Sequence, residues 1–298
     1  MREIAAKVWE VTPEDIFLPR RDRNAHKGDF GRVCILGGSV GYSGAPILAA
    51  QAAVRAGAGL VTVLVPEPVW PVAATRLSSA MPFPLPTIPW GSIGPGRGSF
   101  SRKALGGAKE HMAQADAVLI GPGLSRAKDA AWVSRKLTEE LTCPLVLDAD
   151  GINALEGHID VLDSRRDRLT VLTPHDGEFS RLAGELPGED RAEAARGFAA
   201  AHGCVLVLKG HRTVTAFPDG EVFVNTTGNP GMAKGGSGDV LAGMILSLLS
   251  QGVEAKPAAP WAVCLHGQAG DLAAEELGEY GVTPADLIAK IPQTLKKF

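Results

Sequence analysis

Short apolar runs that alternate with helix-like stretches constrain the fold of this chain more than any other feature. The runs at 32–36 and 60–65 flank the alanine-rich stretch 44–57, whose composition and terminal glycine predict a helix. A strand–helix–strand unit of this kind needs a parallel pair of strands. Because the alternation returns later, the sequence predicts an α/β protein with a mostly parallel sheet. The later predicted strands are residues 117–120, 144–147, 169–172 and 205–208.

The remaining stretches fit a single domain that covers residues 1–298. Residues 1–26 are polar and predict an N-terminal arm that lies over the surface. Residues 66–101 are rich in proline and glycine, which predicts an irregular surface excursion. A hairpin is predicted at 213–224, where Pro218-Asp219-Gly220 joins two apolar runs. Further helices are predicted at 127–141, from 177 onward, and at 237–251, 257–278 and 283–297.

Composition is that of an ordinary globular protein and excludes several classes of partner. Of 298 residues, 45% are hydrophobic and 21% are charged, and the net charge is −3 with acids and bases interspersed. This balance argues against a nucleic-acid-binding or membrane-surface protein. No stretch reaches the roughly 18 apolar residues of a membrane span, and the N-terminus lacks the apolar core of a signal peptide. Buried reduced thiols and a cytoplasmic location are predicted from the widely spaced Cys34, Cys143, Cys204 and Cys264.

Five polar or glycine-containing motifs each follow directly after a predicted strand. The carboxyl ends of parallel strands meet at one edge of a sheet, and ligands bind at that edge in open α/β sheets. The sequence therefore predicts one binding edge. The motifs are Gly37-Gly38, Gly121-Pro122-Gly123, Asp148-Ala149-Asp150, Thr173-Pro174-His175 and Lys209-Gly210.

A glycine-rich loop that leads into an apolar helix is the most informative stretch. Its glycines allow sharp bends and bring backbone N–H groups close to a ligand. Ser237 is predicted as the helix N-cap, and a helix N-terminus binds phosphate. Asp239 falls in the first turn, and an anion cradle beside a carboxylate is typical of phosphoryl transfer. The alternative is that the stretch has only a structural role, in which Ser237 caps the helix and Asp239 complements the helix dipole. The glycines are Gly235, Gly236 and Gly238.

The other edge motifs carry side chains that suit a nucleotide. Residues 209–213 place three donors after a strand, which suits phosphate or ribose recognition or forms only a basic hairpin corner. His175 is a candidate functional residue, and no second His or Cys lies at metal-ligand spacing from it. Three further side chains bind Mg²⁺, orient polar groups or only cap the following helix: Asp148, Asp150 and Asn153.

Together these motifs resemble those of the ribokinase-like superfamily and, within it, of the ADP- or ATP-dependent NAD(P)H-hydrate dehydratases. The resemblance extends over roughly residues 25–250. It implies a ribokinase-like three-layer α/β/α sandwich around a mostly parallel central sheet. The matching stretches are residues 27–31, 37–39, 43–45, 55–59, 121–123, 147–153, 173–175, 209–210 and 229–239.

The resemblance also implies roles for individual residues, with Asp239 as the catalytic base. The substrate, a hydrated nicotinamide nucleotide, would contact Ala45, Gly123, His175 and Asp239. The phosphoryl donor, ADP or ATP with Mg²⁺, would contact Lys209, Gly210, His211, Arg212, Thr213 and Gly238. The anion hole would consist of Gly235, Gly236, Ser237 and Gly238. No dedicated protein metal site is predicted.

The implied reaction is the dehydration of the S-epimer of hydrated NADH or NADPH, which restores the reduced cofactor. Hydroxide is a poor leaving group, so the ring hydroxyl is first phosphorylated while Asp239 accepts its proton. In a first helical turn, Asp239 is expected to stay ionised at neutral pH. A homo-oligomer is expected, with an NAD(P)H-hydrate epimerase as functional partner.

Two other functions are alternatives. A kinase of the same superfamily, acting on a hydroxymethyl group of a small heterocycle, would share Asp239 and the glycine cradle but release a stable phosphorylated product. A non-catalytic nucleotide-binding protein would need no base at that position. The stretches 27–29 and 173–175 favour the dehydratase.

Overall fold

The computed structural model describes residues 1–88, 98–296 and 298. Its strands are β1 (Arg2–Ala5), β2 (Val8–Val11), β3 (Arg32–Leu36), β4 (Leu60–Pro66), β5 (Met81–Leu85), β6 (Ala117–Ile120), β7 (Leu145–Leu147), β8 (Thr170–Leu172), β9 (Val205–Leu208), β10 (Val214–Ala216) and β11 (Val222–Asn225). Its helices are α1 (Gly44–Arg55), α2 (Trp70–Arg76), α3 (Ala104–Met112), α4 (Lys128–Glu140), α5 (Asp150–Asn153), α6 (Asp160–Asp163), α7 (Asp176–Ala183), α8 (Arg191–His202), α9 (Ser237–Ser250), α10 (Ala255–Leu277) and α11 (Pro284–Leu295).

The described strands form one sheet in the order β1-β2-β11-β10-β9-β8-β7-β6-β3-β4-β5. The seven strands from β9 to β5 along this order are mutually parallel. Strand β10 is antiparallel to both of its neighbours, β9 and β11, as the predicted hairpin requires. The prediction of a mostly parallel sheet is therefore confirmed, and the carboxyl ends of seven strands lie at one edge.

Alternate side chains of each central strand face two separate apolar layers. On β3, Val33 and Ile35 belong to a core that includes residues of α1, α9, α10 and α11. Cys34 and Leu36 belong to a second core, on the other face, with residues of α3, α4, α7 and α8. A parallel sheet is stable only when both faces are covered in this way. This arrangement confirms the predicted α/β/α sandwich.

Helix α9 is buried along nearly its whole length, and its packing fixes the end of the glycine-rich loop. Every residue from Val240 to Ser250 is buried. Gly243 lies so close to α1 that a Cβ atom there would stand 2.2 Å from the carbonyl oxygen of Ala49. At the start of α9, a Cβ on Gly236 would stand 2.7 Å from Cδ1 of Leu48. The N-terminal ends of α1 and α9 are therefore adjacent.

Two predictions for irregular stretches were wrong in part. The N-terminal arm contains a hairpin of β1 and β2, and β2 extends the sheet by pairing in parallel with β11. The stretch 66–101 contains α2 and the edge strand β5, which pairs in parallel with β4. Pro82 and Pro84 are tolerated in β5 because an edge strand has a free side that needs no N–H donor. The part of this prediction that falls on residues 89–97 lies outside the described residues.

Three of the four cysteines, Cys34, Cys204 and Cys264, are buried. Burial raises the pKa of the Cys204 thiol to about 12 and that of Cys34 further still, so neither forms a reactive thiolate at neutral pH. The predicted buried thiols are thus confirmed at these positions. Within the described ranges, no helix combines the length and apolarity needed to cross a bilayer.

Candidate active site

The ammonium group of Lys209 lies at the centre of the site. Lys209 follows β9, and its Nζ atom is 2.9 Å from Oδ1 of Asp148, which follows β7. The same Nζ atom is 3.8 Å from Oε2 of Glu178 on α7. On its other side, a Cβ atom added to Gly238 would stand 3.1 Å from it. The tertiary structure therefore brings two of the predicted edge motifs and the first turn of α9 together.

The environment of Lys209 keeps it positively charged. Burial disfavours the ammonium form, but the carboxylates of Asp148 and Glu178 outweigh this effect, and the pKa of Lys209 is raised above its ordinary value. Asp148 is itself fixed, because the Thr173 hydroxyl donates to its Oδ1 atom over 2.6 Å. The site thus holds a permanent cation in a fixed position, which suits a negatively charged ligand.

Asp239 lies in the first turn of α9, close enough to Lys209 for the two charges to interact. Burial and the negative charges of Asp148 and Glu178 raise the pKa of Asp239 to about 7, although the positive charge of Lys209 lowers it. The expectation that the helix terminus alone would keep Asp239 ionised was therefore wrong. Desolvation and two nearby carboxylates outweigh the favourable end of the helix dipole. A carboxyl group with a pKa near neutrality is suited to accept a proton.

The glycine-rich loop differs in detail from its prediction. The N-cap of α9 is Gly236, with φ of 103°, a backbone conformation that favours glycine; the predicted N-cap, Ser237, is the first helical residue. The N–H group of Ser237 already donates to the carbonyl of Lys234 over 3.2 Å. Its buried hydroxyl has no hydrogen-bond partner among the described residues. Of the four residues predicted to form the anion hole, Ser237 thus has an N–H group that is already bonded within the loop.

Ala45 and Gly123, two predicted substrate contacts, lie against each other. A Cβ atom on Gly123 would stand 3.2 Å from Cβ of Ala45 and 2.5 Å from the carbonyl oxygen of Tyr42. Gly123 has φ of 63°, and its carbonyl accepts a hydrogen bond of 2.9 Å from the Ser39 hydroxyl. Only glycine fits this crossing of the loops after β3 and β6. Leu48 lies about one turn after Ala45 on α1 and is next to Gly236. The contact between Ala45 and Gly123 is therefore close to the start of α9.

His175 has a structural role that the sequence did not predict. It is the N-cap of α7, and its Nδ1 atom accepts hydrogen bonds from the N–H groups of Gly177 and Glu178 over 3.0 and 3.3 Å. Nδ1 therefore carries no proton, and the ring N–H is at Nε2. Although Nε2 lies 3.5 Å from Oε1 of Glu178, about half of the His175 side chain is exposed, so this N–H is accessible to a substrate.

The predicted nucleotide segment 209–213 divides into two parts. Lys209 points toward Asp148, whereas Arg212, with φ of 55°, pairs with Glu10 of β2 over 2.7 Å. The Thr213 hydroxyl donates to the carbonyl of Gly210 over 3.0 Å and closes the turn between β9 and β10. His211 is exposed beside this turn. The structure thus brings Lys209 to the carboxylates of Asp148 and Glu178 but leaves Arg212 on the N-terminal hairpin.

The contacts of Asp148, Asp150 and Asn153 show what each side chain holds in the structure. Asp150 accepts the N–H group of Ser125 over 2.9 Å, and its other oxygen accepts from Asn153 over 3.0 Å. Asp150 and Asn153 therefore hold the loop after β6, whereas Asp148 accepts a hydrogen bond from Lys209. The intervening Ala149 has φ of 48°. Such backbone strain is costly for a residue with a Cβ and occurs preferentially at functional sites.

Glu178 is a site residue that sequence reasoning missed. It is buried, with Oε2 accepting the N–H group of His175 over 2.9 Å and lying near Lys209. The spacing from His175 to Glu178 is that of a capping box, in which the third residue of a helix bonds back to the N-cap. That local signal was present in the sequence, but the proximity to Lys209 depends on the sheet order.

The carboxylates at this edge fit a magnesium ion that arrives with a nucleotide. Mg²⁺ is held through one or two protein carboxylates together with substrate phosphates and water. Asp148, Glu178 and Asp239 are acidic side chains whose charges interact with Lys209. No cluster of three or more metal-binding side chains exists within the described ranges. These carboxylates therefore suit an ion that arrives bound to a nucleotide.

The sheet order, the glycine-rich turn and the acidic residue after it are those of a ribokinase-like α/β protein. A solved ribokinase-like superfamily protein from Enterococcus faecalis aligns with a TM-score of 0.83 at 28% identity, covering 100% of this chain and 98% of that chain.

The chain belongs to the NAD(P)H-hydrate dehydratase family, whose sequence model matches residues 33–293. The bifunctional NAD(P)H-hydrate repair enzyme Nnr of Moorella thermoacetica is 45% identical over 284 residues, 94% of this chain and 52% of that protein. The ADP-dependent (S)-NAD(P)H-hydrate dehydratase of Neisseria meningitidis is 38% identical over 265 residues, 87% of this chain and 82% of that protein. The chain spans about half the length of the bifunctional relatives that it matches.

A solved structure from Bacillus subtilis extends this comparison. It is an ADP/ATP-dependent NAD(P)H-hydrate dehydratase co-crystallized with ATP and Mg²⁺. It aligns with a TM-score of 0.79 at 32% identity and covers 98% of this chain and 99% of that chain.

Proposed function

We propose that this protein dehydrates the S-epimer of hydrated NADH or NADPH at the expense of ADP or ATP. The observation that carries the proposal is the position of Asp239, which lies in the first turn of α9 near the cation of Lys209 and has a pKa of about 7. A proton acceptor and a fixed positive charge at a helix N-terminus are the groups that phosphorylation of a hydroxyl requires. Family membership supports the substrate class.

In this mechanism Asp239 accepts the proton of the ring hydroxyl while the hydroxyl oxygen attacks the terminal phosphorus of the donor. The new O–P bond forms as the donor's terminal P–O bond breaks, which leaves AMP from ADP or ADP from ATP. Lys209 and the N–H groups of Gly235, Gly236 and Gly238 stabilise negative charge on the transferring group. The lone pair of the ring nitrogen then expels phosphate, and loss of a ring-carbon proton restores the double bond.

The flanking residues bind the two substrates. We assign the hydrated nicotinamide to Ala45, Gly123 and the exposed Nε2–H of His175. The contact between Ala45 and Gly123 and the exposure of His175 support this assignment. The donor nucleotide is assigned to the segment 209–213 beside Gly238. Mg²⁺ would supply charge neutralisation between the donor phosphates and the carboxylates of Asp148 and Glu178.

The cellular setting is part of the same proposal. The bifunctional repair enzymes among the relatives support an NAD(P)H-hydrate epimerase as partner, which would supply the S-epimer. The buried, widely spaced cysteines support a reducing, cytoplasmic location. Assembly as a homo-oligomer remains a prediction, which light scattering of the purified protein would test.

The test supplies hydrated NADH or NADPH, Mg²⁺ and either ADP or ATP, and follows the return of the near-ultraviolet absorbance of the reduced nicotinamide ring. We expect recovery with at least one donor, together with release of one phosphate per turnover. Absence of recovery with both donors would overturn the proposal. Accumulation of a stable phosphorylated product from a heterocyclic alcohol would instead identify a kinase.

A further inference from the structure

One face of α10 holds the glycine-rich loop that leads into α9. Gly267 and Gly270 lie so close to this loop that added Cβ atoms would stand 2.2 Å from the Thr227 hydroxyl and from the Met232 sulfur, respectively. The Thr227 hydroxyl also donates to the carbonyl of Cys264 over 2.8 Å. Positions three and four apart share one face of a helix. The loop is therefore seated directly on α10.

Asp271 lies on the same face and provides the charged contact. Its Oδ2 atom accepts the N–H group of Gly228 over 2.9 Å, and its Oδ1 atom accepts from Nδ2 of Asn229, also over 2.9 Å. Asn229 relays this contact, because its Oδ1 atom accepts the N–H group of Gly231 over 3.0 Å and caps the turn Pro230–Met232. Hydrogen bonds to an ionised acceptor are the stronger kind. Three linked bonds thus define the path of the loop.

The path from Asp271 to the site is short and fixed at each step. After the turn at Pro230–Met232, the Lys234 ammonium donates to the carbonyls of Tyr280 and Val282 in the α10–α11 connection. The carbonyl of Lys234 then accepts the N–H group of Ser237, the first residue of α9. Along this path, each bond restrains the backbone that presents the glycine N–H groups and Asp239.

We propose that Asp271 is a positioning residue for phosphoryl transfer, which acts through Asn229 to hold the glycine-rich loop and Asp239 in their reactive arrangement. Preorganised donors stabilise a transition state without the cost of reorganisation during the reaction, and displacements near 1 Å are enough to lower rates about 100-fold. This inference rests on the proposed function, but it concerns residues outside the assigned substrate contacts.

The test is a reciprocal exchange of the two side chains. In Asp271→Asn, the amide NH₂ group at position 271 faces that of Asn229, unless Asn229 turns over and loses its bond from the Gly231 N–H group. In Asn229→Asp, the new carboxylate faces that of Asp271. The double variant restores every bond. Its new amide at position 271 would accept from Gly228 and donate to the new carboxylate at position 229, which would in turn accept from Gly231. We expect a 10- to 100-fold loss of kcat in each single variant, roughly, and recovery to within about threefold in the double variant.

Three controls separate positioning from loss of folded protein. The exposed Glu275→Gln on the same helix should change kcat by less than about twofold. The single variants should keep the wild-type circular dichroism spectrum but show faster amide hydrogen exchange in 228–238. The midpoint of their kcat/KM–pH profiles should move by at least about half a unit, since a displaced Asp239 meets different neighbouring charges.

Two outcomes would overturn the inference. One is that the single variants keep both the midpoint of the kcat/KM–pH profile and the amide hydrogen exchange of the wild type. The other is that the double variant has a kcat as low as those of the single variants. Absence of wild-type activity would count against the proposed function alone, because the exchange measurement needs no substrate.

Discussion

The Nζ atom of Lys209 lies 2.9 Å from Oδ1 of Asp148 and also borders Gly238, so one ammonium group joins the ends of β7 and β9 to the first turn of α9. Burial and the negative charges of Asp148 and Glu178 raise the pKa of Asp239, while the positive charge of Lys209 lowers it. The reactivity of Asp239 is therefore set by its burial and by three charged residues that are distant from it in sequence.

Replacing Asp239 by Asn should abolish turnover while nucleotide binding persists. The amide fills the same space but cannot accept the hydroxyl proton, and general bases contribute roughly 100- to 10,000-fold to rates. Steady-state assays would measure kcat, and calorimetry would measure the affinity for ADP. Asp167→Asn, at a side chain that is 85% exposed, is the matched control. If the folded Asp239→Asn protein no longer binds nucleotide, the role of Asp239 is structural.

The value of kcat/KM should rise with pH through about 7 and then level off. Asp239 must be deprotonated to act as a base, and its pKa in the free protein is about 7. Since this pKa is raised above 3.8, the same group contributes stability at low pH that is lost as pH rises toward and through 7. Asp239→Asn should therefore gain stability relative to wild type between pH 5 and 8, roughly. A flat activity profile across this range would contradict the assignment.

Replacing Lys209 by Met should move the activity midpoint to higher pH. Without the ammonium, Asp239 faces Asp148 and Glu178 unopposed, so its pKa should rise further. The KM for the nucleotide should also increase, since a charge-assisted contact to phosphate is lost. Lys209→Arg, which keeps the charge, should show a smaller shift of the midpoint. A midpoint that moves to lower pH in the Met variant would rule out this electrostatic role.

Replacing His175 by Asn and by Ala should separate its two roles. Asn is a good N-cap, so His175→Asn should keep the stability of the protein but raise the KM for the hydrated nucleotide by removing Nε2–H. His175→Ala should also lower the free energy of unfolding by about 1 kcal/mol, because the cap bonds are lost. Urea denaturation and substrate titration would measure the two effects. Equal KM values in all three proteins would exclude substrate contact.

Replacing Gly123 by Ala should destabilise the protein more than replacing Gly41 by Ala. Both glycines have positive φ, 63° and 93°, so both variants carry backbone strain of about 1–2 kcal/mol. A Cβ at Gly41 meets nothing within 4 Å, whereas a Cβ at Gly123 meets the Tyr42 carbonyl at 2.5 Å. Thermal unfolding would compare them. Equal losses would mean that the loop crossing relaxes freely.

Local sequence patterns determined the alternation of strands and helices, the parallel sheet and the set of motifs at its carboxyl edge. These features depend on side-chain periodicity and on glycine at fixed positions, which act within a few residues of the chain. The apolar run after Asp239 predicted α9 nearly to its ends, and the motif after β9 predicted that Lys209 belongs to the site. The residues that contact the substrate were assigned only from the resemblance to a family.

The tertiary structure alone decided the charge of Asp239, the pairing of Arg212 with Glu10 and the place of Glu178 and Asp271. Burial and Coulomb interactions depend on distances between residues that the sheet order brings together, and one sequence carries no record of those distances. The N-terminal strands were missed for the same reason, since β2 is a strand only because β11 offers it a free edge. Local pattern thus determines which groups the site contains, whereas packing decides how strongly each of them holds its proton.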